Sequence, residues 1–350
     1  MTKYQPGVRI SEYLLEECIG AGSFGEVWRA RHHVWESEQV AVKLPTEPEY
    51  VRYIQREGVV VHGLKHANII RVLGFDPYAE HPYLVMELVT GPALRAVINE
   101  HSGGLPIATA VTVLRGLLLA MDAAHTAGVL HRDLKPGNVL LNLGQRPLAE
   151  LTVDDVKVGD FGLGVSNAEA LRSIAQSASI ARDDQLVGTL AYMAPEVRDG
   201  HDRAGARSDL YSIGVILFEM LTGERPAGAE LPSTVRADVP RALDEVFRRL
   251  YARSESRYET ARAVLEDLDA RLSVDTSRVP HPPPPPAVVA RRYGADACPA
   301  CHHPIGSEDQ FCTRCGEQVV SRVRRCPSCH GYPGPRDRYC IYCGAVLPEE

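Results

Sequence analysis

Apolar and polar positions along the chain change period once. Up to Thr90 the apolar residues come in short runs or alternate. Tyr13 opens YLLEECIG, a strand pattern. After the glycines of GAGSFGEVW, the residues Glu26, Val27, Trp28, Arg29 and Ala30 read as a returning strand, because β-branched and aromatic side chains favour extended backbone. Gln39 to Leu44 (QVAVKL) alternates as a third strand, and Pro82 to Thr90 (PYLVMELVT) reads as a buried strand running out into a linker. Between these lies a helical candidate from Glu49 to Gly63, and residues 1–12 read as polar lead-in. From Pro106 the period becomes helical: Val111, Leu114, Leu118 and Met121 share a face, and proline suits a first helical position. Asp209 begins the apolar helix DLYSIGVILFEMLTG, stopped by Gly223. Further helices are predicted from Arg241 to Arg253, with Leu243, Val246, Phe247 and Leu250 on one face, and from Tyr258 to Leu272. The pattern therefore predicts strands in the first part of the chain and helices after it, an α+β order of elements. Asn142 to Asp155 is longer than a turn between two short strands needs and reads as a surface insertion.

Composition narrows the function classes. The 350 residues suffice for one large domain or several smaller ones, and the 45% apolar and 24% charged fractions are those of a water-soluble globular chain. A net charge of −7 disfavours a general nucleic-acid or anionic-membrane binder, which needs a basic surface. It does not exclude a nucleotide, whose phosphates a few amides and cations can hold locally. No stretch has the form of a signal peptide, and the apolar runs, broken by Arg115 or ending near Glu219, fall short of the roughly 18 to 20 residues that span a bilayer. A cytoplasmic protein without a membrane partner is expected. Eight of the nine cysteines lie in the tail as four CxxC pairs, leaving Cys18 apart, and in a reducing compartment that pattern means metal before disulfide. HPPPPP, inside 273–295, marks a semi-rigid spacer between domains.

The densest chemistry is HRDLKPGN, His131 to Asn138, placed between the apolar helix and Val139, Leu140 and Leu141. A carboxylate, a lysine two residues on and an asparagine beyond could orient a hydroxyl, contact a phosphate and hold a cation. Gly20, Gly22 and Gly25 have GxGxxG spacing, which dinucleotide-binding folds share, but those folds open a helix here and this chain returns as a strand. VAVK ends on Lys43, and VKVGDFG carries Asp160, Phe161 and Gly162. Each piece alone has an ordinary structural reading: an exposed strand lysine, a polar turn, a glycine turn.

Together these motifs resemble the eukaryotic-type serine/threonine protein kinases of the kind found in bacteria, over residues 11–272. The resemblance implies an α+β, bilobal fold, with a small, mostly antiparallel β lobe carrying one helix and a larger helical lobe, and transfer of the ATP γ-phosphate to serine or threonine hydroxyls of proteins, this chain included. By that resemblance Asp133 accepts the hydroxyl proton, Lys135 steadies the phosphoryl group, and Lys43, fixed by Glu57, holds the α and β phosphates. Asn138 and Asp160 hold Mg²⁺ or Mn²⁺, and Gly20, Gly22 and Gly25 cover the phosphates. Val27, Ala41 and Leu140 sandwich the adenine, Glu87 and Val89 offer it backbone groups, and Met86 stands behind it. GTLAYMAPE implies a regulated segment ending at Glu196, which pairs with Arg257. Candidate phosphorylation sites are Ser177, Ser179 and Thr189, with Arg132 as the docking cation. The stretch from Glu224 to Val239 is too short for the family's next helix, which leaves substrate docking open. A pseudokinase scaffold is the alternative from another class.

The tail repeats without gaps. CPACHHPIGSEDQFCTRCG and CPSCHGYPGPRDRYCIYCG each present two CxxC pairs, the signature of a Cys₄ zinc ribbon. The repeat favours Cys298, Cys301, Cys312 and Cys315 around one structural zinc (296–318), and Cys326, Cys329, Cys340 and Cys343 around a second (324–346). Pairing of the first CxxC with the third, and iron in place of zinc, stay open on ligand type alone. Segments this small need the metal to fold. Protein recognition is the expected role; a nucleic-acid-binding tail regulated by the kinase is a less favoured alternative.

Overall fold

The computed structural model describes residues 3–22, 25–46, 51, 63–161, 190–198, 204–275, 297–306, 309–312, 314–320, 324–327, 333, 337–340 and 345–347. The expectations placed on Glu57, Gly162, Ser177, Ser179, Thr189, Cys329 and Cys343 lie outside the described residues.

The alternating N-terminal third forms one six-stranded sheet. Its strands are β1 (Arg9–Ile10), β2 (Tyr13–Gly22), β3 (Gly25–His32), β4 (Gln39–Leu44), β5 (Val72–Asp76) and β6 (Tyr83–Glu87), all antiparallel in the order β1-β2-β3-β4-β6-β5. β2 and β3 make the expected hairpin, with Gly22 opposite Gly25. The lead-in is not merely polar. Tyr4 and Ile10 are buried with Leu15, Trp28, Val42 and Leu44, and the Lys3 amide donates to Glu26, whose other oxygen accepts from the Trp28 indole. Burial of two large apolar side chains outweighed the polar majority of that stretch.

The helical lobe contains α1 (Leu94–Glu100), α2 (Ile107–Thr126), the short α3 (Pro195–Arg198), α4 (Ala206–Thr222), the single turn α5 (Pro232–Val235), α6 (Arg241–Leu250) and α7 (Ala261–Asp275). Between α2 and α3 lies the two-stranded ribbon β7 (Val139–Leu141) and β8 (Val156–Val158). α4 is buried from Asp209 through Thr222 on every face, as its unbroken apolar run requires; α2 and α6 pack against it, and α7 packs against α2 and α6. By length and composition α2 could cross a membrane, against the expectation that no run would, because Arg115 alone does not break an 18-residue window. Its residues from Thr109 to Ala124 are nevertheless largely buried in the lobe, and Arg115 pairs with Asp269 of α7 at 2.5 Å.

The insertion after β7 is more than surface. Leu148 and Leu151 pack on the main core, and Asp155 closes the loop by accepting from Arg146 and from the Thr152 amide and hydroxyl. Asn68 stitches the two lobes beside it: its side chain donates to the Val156 carbonyl at 2.9 Å, and its own carbonyl accepts from the Val158 amide at 2.8 Å. β8 is thereby held against α2, where a methyl group on Gly116 would lie 2.5 Å from the Val156 Cβ.

That approach yields a test. Alanine is favoured over glycine in a helix by about 1 kcal/mol, yet Gly116→Ala should lower the thermal midpoint, because overpacking a rigid core costs about 1–3 kcal/mol. A raised midpoint in differential scanning calorimetry would show that the helix and β8 are not in contact.

Candidate active site

The catalytic-loop candidate begins with strain. Arg132 has φ +68° and Asp160 φ +59°, a region that side chains other than glycine enter only when their surroundings hold them there. For Arg132 the holding group is Asp209, at the start of α4. Its carboxylate accepts the His131 amide at 3.0 Å and the Arg132 amide at 2.9 Å, and the His125 ring at 2.8 Å. Burial alone would raise the Asp209 carboxyl, but these hydrogen bonds and the nearby imidazoles hold it below the usual carboxylate range. His131 is itself fully buried. Its Nε2 donates to the Gly159 carbonyl at 2.9 Å, its Nδ1 accepts from the Asp133 amide at 3.3 Å, and its ring lies 4.6 Å from that of Phe161. The loop and the segment carrying Asp160 are thus joined through one imidazole.

With the loop fixed, its functional groups converge. Lys135 Nζ donates to Asp133 Oδ2 at 2.9 Å. Asn138 gives its Nδ2 to the Asp133 backbone carbonyl at 2.8 Å and to Oδ2 at 3.2 Å, while its own carbonyl accepts the Gly159 amide at 3.0 Å. From the β lobe, Lys43 in β4 reaches Asp160 Oδ1 at 2.7 Å, although 117 residues separate them. Lys43 is nearly buried, whereas the Asp160 side chain keeps 39% of its free surface despite its depth. Depth would raise the Asp160 carboxyl, and the Lys43 ammonium more than offsets that, leaving it lowered.

The predicted base-lining residues fall together. Ala41, Met86, Leu84 and Ile70 form a small apolar cluster with Val27, Leu140 and Val89 partly buried against it, separate from the cores of both lobes. Glu87 has its side chain tied back to the Arg71 amide at 2.9 Å and to Lys157 at 3.5 Å. Gly20 and Gly22 end β2, and Gly25 starts β3. Gly25 has a reason that motif spacing does not give: a Cβ there would lie 2.3 Å from the Leu44 carbonyl oxygen. The expected pair of Glu196 and Arg257 is formed, at 2.5 and 3.0 Å, with Arg257 almost wholly buried.

Two groups escaped the sequence reading. Asp209 gave no signal beyond opening an apolar helix. Tyr192, Arg95 and Glu219 form a buried network in which Glu219 accepts from Arg95 at 2.8 Å and from the Tyr192 hydroxyl at 2.5 Å, tying α1 and the segment before α3 to α4. An arginine, a tyrosine and a glutamate scattered over more than a hundred positions share no spacing that could reveal them.

In the tail, the sulfurs of Cys298, Cys301, Cys312 and Cys315 lie within 4.8 Å of one another, with Cys298 and Cys315 at 3.6 Å and Cys301 and Cys312 at 3.6 Å. The first two CxxC pairs therefore share one site, and pairing of the first with the third is not what this geometry holds. Cys326 and Cys340 are buried together beneath Leu347.

This fold and cleft define a protein kinase, and the chain belongs to that family. Residues 13–276 match the protein kinase domain and residues 298–344 the double zinc ribbon. The chain is 34% identical over 297 residues to the serine/threonine-protein kinase PknL of Mycobacterium tuberculosis, covering 78% of this chain and 69% of PknL. It is 34% identical over 233 residues to the serine/threonine-protein kinase PkaA of Streptomyces coelicolor, covering 62% of this chain and 40% of PkaA. In fold it is similar to the crystal structure of the PknI kinase domain of Mycobacterium tuberculosis, with a TM-score of 0.59 over 77% of this chain and 99% of that one, at 22% identity. It is a serine/threonine protein kinase with a zinc-ribbon tail.

The Glu196–Arg257 pair gives a pH-dependent prediction. Burial raises the Glu196 carboxyl, but Arg257 and neighbouring hydrogen bonds leave it below the ordinary value of 4.5. A depressed folded value means that the pair's stabilisation is fully present above that pH and fades as pH falls through the folded value. Arg257→Ala should therefore cost about 3 kcal/mol at neutral pH. In urea titrations the gap to wild type should narrow progressively below pH 4.5. A gap that does not change with pH would show that Glu196 is not held by Arg257.

Proposed function

We propose that Asp133 accepts the proton of a serine or threonine hydroxyl as its oxygen attacks the γ-phosphorus of ATP; the bond from that phosphorus to the bridging oxygen breaks, and ADP leaves with the electron pair. The observation that carries this reading is the convergence on one cleft of Asp133, held by Asn138 and facing Lys135, with the Lys43–Asp160 pair formed across the lobes. Lys135 lies where its ammonium can pass from the Asp133 carboxylate to the transferring phosphoryl group. Lys43 sits above Asp160 as the cation for the α and β phosphates, and the apolar cluster around Ala41, Met86 and Leu140 accepts the adenine.

The donor set suits a hard divalent cation. Asp160 supplies a carboxylate, and Asn138, whose Nδ2 is committed to Asp133, is left with its Oδ1 as a ligand oxygen. Mg²⁺ or Mn²⁺ held there neutralises charge on the phosphates. Autophosphorylation, protein recognition by the ribbons and residence in a reducing cytoplasm belong to the same proposal. Free thiols at Cys298, Cys301, Cys312 and Cys315, clustered at metal-binding distances, support structural zinc in the first ribbon, and the gapless repeat extends this to Cys326, Cys329, Cys340 and Cys343.

Purified full-length protein incubated with ATP and Mg²⁺ should place phosphate on serine and threonine. Asp133→Asn should lose about 10²–10⁴-fold in turnover, the span typical of a missing general base. No phosphotransfer by wild type, indistinguishable from the variant, would favour the scaffold reading; equal turnover in both would remove Asp133 as the base. Elemental analysis should find zinc, not iron, at two per chain as the gapless repeat predicts, and chelation should unfold the tail while leaving the far-ultraviolet helical signal of the kinase lobes in place.

A further inference from the structure

The stretch after α4 lacks a helix beyond the single turn α5, and the ribbons lie against it. Arg325, at the start of the second ribbon and directly before Cys326, pairs with Glu224 at 2.9 Å, both side chains being half-buried. A second contact comes from the first ribbon. Gly316, directly after the ligand Cys315, backs onto Ala229: a methyl at Gly316 would sit 3.6 Å from the Ala229 Cβ. Two separate points of the tail thus meet one segment, residues 224–229.

The metal site is mechanically connected to that contact. Gln310, two residues before Cys312, is buried; its amide donates to the Pro333 carbonyl of the second ribbon at 2.6 Å and its oxygen accepts the Arg324 amide at 2.6 Å. Arg324 in turn donates to the Asp337 carbonyl at 2.8 Å. The ribbons and their connection are therefore stitched into one unit, with Arg325 projecting from it toward Glu224. A Cys₄ segment of this size draws its folding energy from the metal, so losing the metal releases Gln310, then the Arg324 backbone, then Arg325. Arg225, next to Glu224, is close enough for its charge to act on the Tyr192 hydroxyl, in the segment that leads into Glu196.

We propose that the double zinc ribbon docks in cis on residues 224–229 through Arg325–Glu224 and Gly316–Ala229, supplying from the tail the surface that the shortened stretch lacks. Zinc in the first ribbon maintains the docking, and this part rests on the zinc reading above. The contact is charged and partly solvated, so it weakens as salt rises.

Hydrogen exchange of residues 224–231 in the zinc-loaded full chain tests this, with zinc content measured on the same samples. Arg325→Glu lies outside the kinase lobes, so it can alter exchange at 224–231 only through the docked tail; it should raise exchange there several-fold. Ala229→Arg should do the same without touching a zinc ligand. The charge swap Glu224→Lys with Arg325→Glu should restore protection, and zinc chelation should reproduce the single variants. Unchanged exchange in Arg325→Glu with zinc still bound overturns the docking. A chain that binds no zinc overturns the metal reading, and with it the metal's hold on the contact.

Discussion

One buried carboxylate carries the geometry of the active cleft. Asp209 accepts two consecutive backbone amides, those of His131 and Arg132, and so stabilises the left-handed turn at Arg132. Such a backbone state costs about 1–3 kcal/mol when unsupported, while hydrogen bonds to a charged acceptor contribute about 1.5–3 kcal/mol each. The balance favours the turn only because Asp209 stands on α4, a helix buried on all sides that cannot move aside. From the turn follow the inward position of His131, its bond to Gly159, and the placement of Asp133 beside Asn138. The central helix thereby sets the catalytic loop, and Glu219 near its other end does the same for Tyr192.

Much of this was legible in the sequence because kinase chemistry is concentrated in short strings. HRDLKPGN, VAVK and DFG each keep their functional atoms within a few residues, and the expected partners Glu196 and Arg257 meet as their motifs imply, whereas Lys43, expected beside Glu57, is found paired with Asp160. The hairpin reading of the glycine stretch also held, since strand propensity after Gly25 excluded a helix. Long-range polar networks were not legible. Asp209, and the Arg95–Tyr192–Glu219 set, act through tertiary contacts with no spacing rule. Close approaches were equally hidden: Gly25 against Leu44 and Gly116 against Val156 become necessary only once the elements are packed. The lead-in was misread because two buried side chains, Tyr4 and Ile10, decide the fate of a mostly polar segment.

The tail follows a different physical logic. Among the described residues the ribbons show one small apolar cluster, Cys326, Cys340 and Leu347 with Ala345 against it, so on the zinc reading proposed above thiolates and metal would replace burial as the source of order. Such a module can be switched by its metal without disturbing the lobes, whose cores are separate and large. Its contact with the segment after α4, the Arg325–Glu224 pair, is where the proposed metal dependence would reach the kinase lobes.

Through Asp209 the loop should matter for phosphotransfer and not for nucleotide binding. Steady-state kinetics and ATP affinity measured on Asp209→Asn separate the two. Turnover should fall by about 10²-fold, as a small misplacement of a catalytic group costs, while the ATP dissociation constant stays near wild type, because Lys43 and the apolar cluster do not touch Asp209. Unchanged turnover, or a loss confined to ATP affinity, would contradict it.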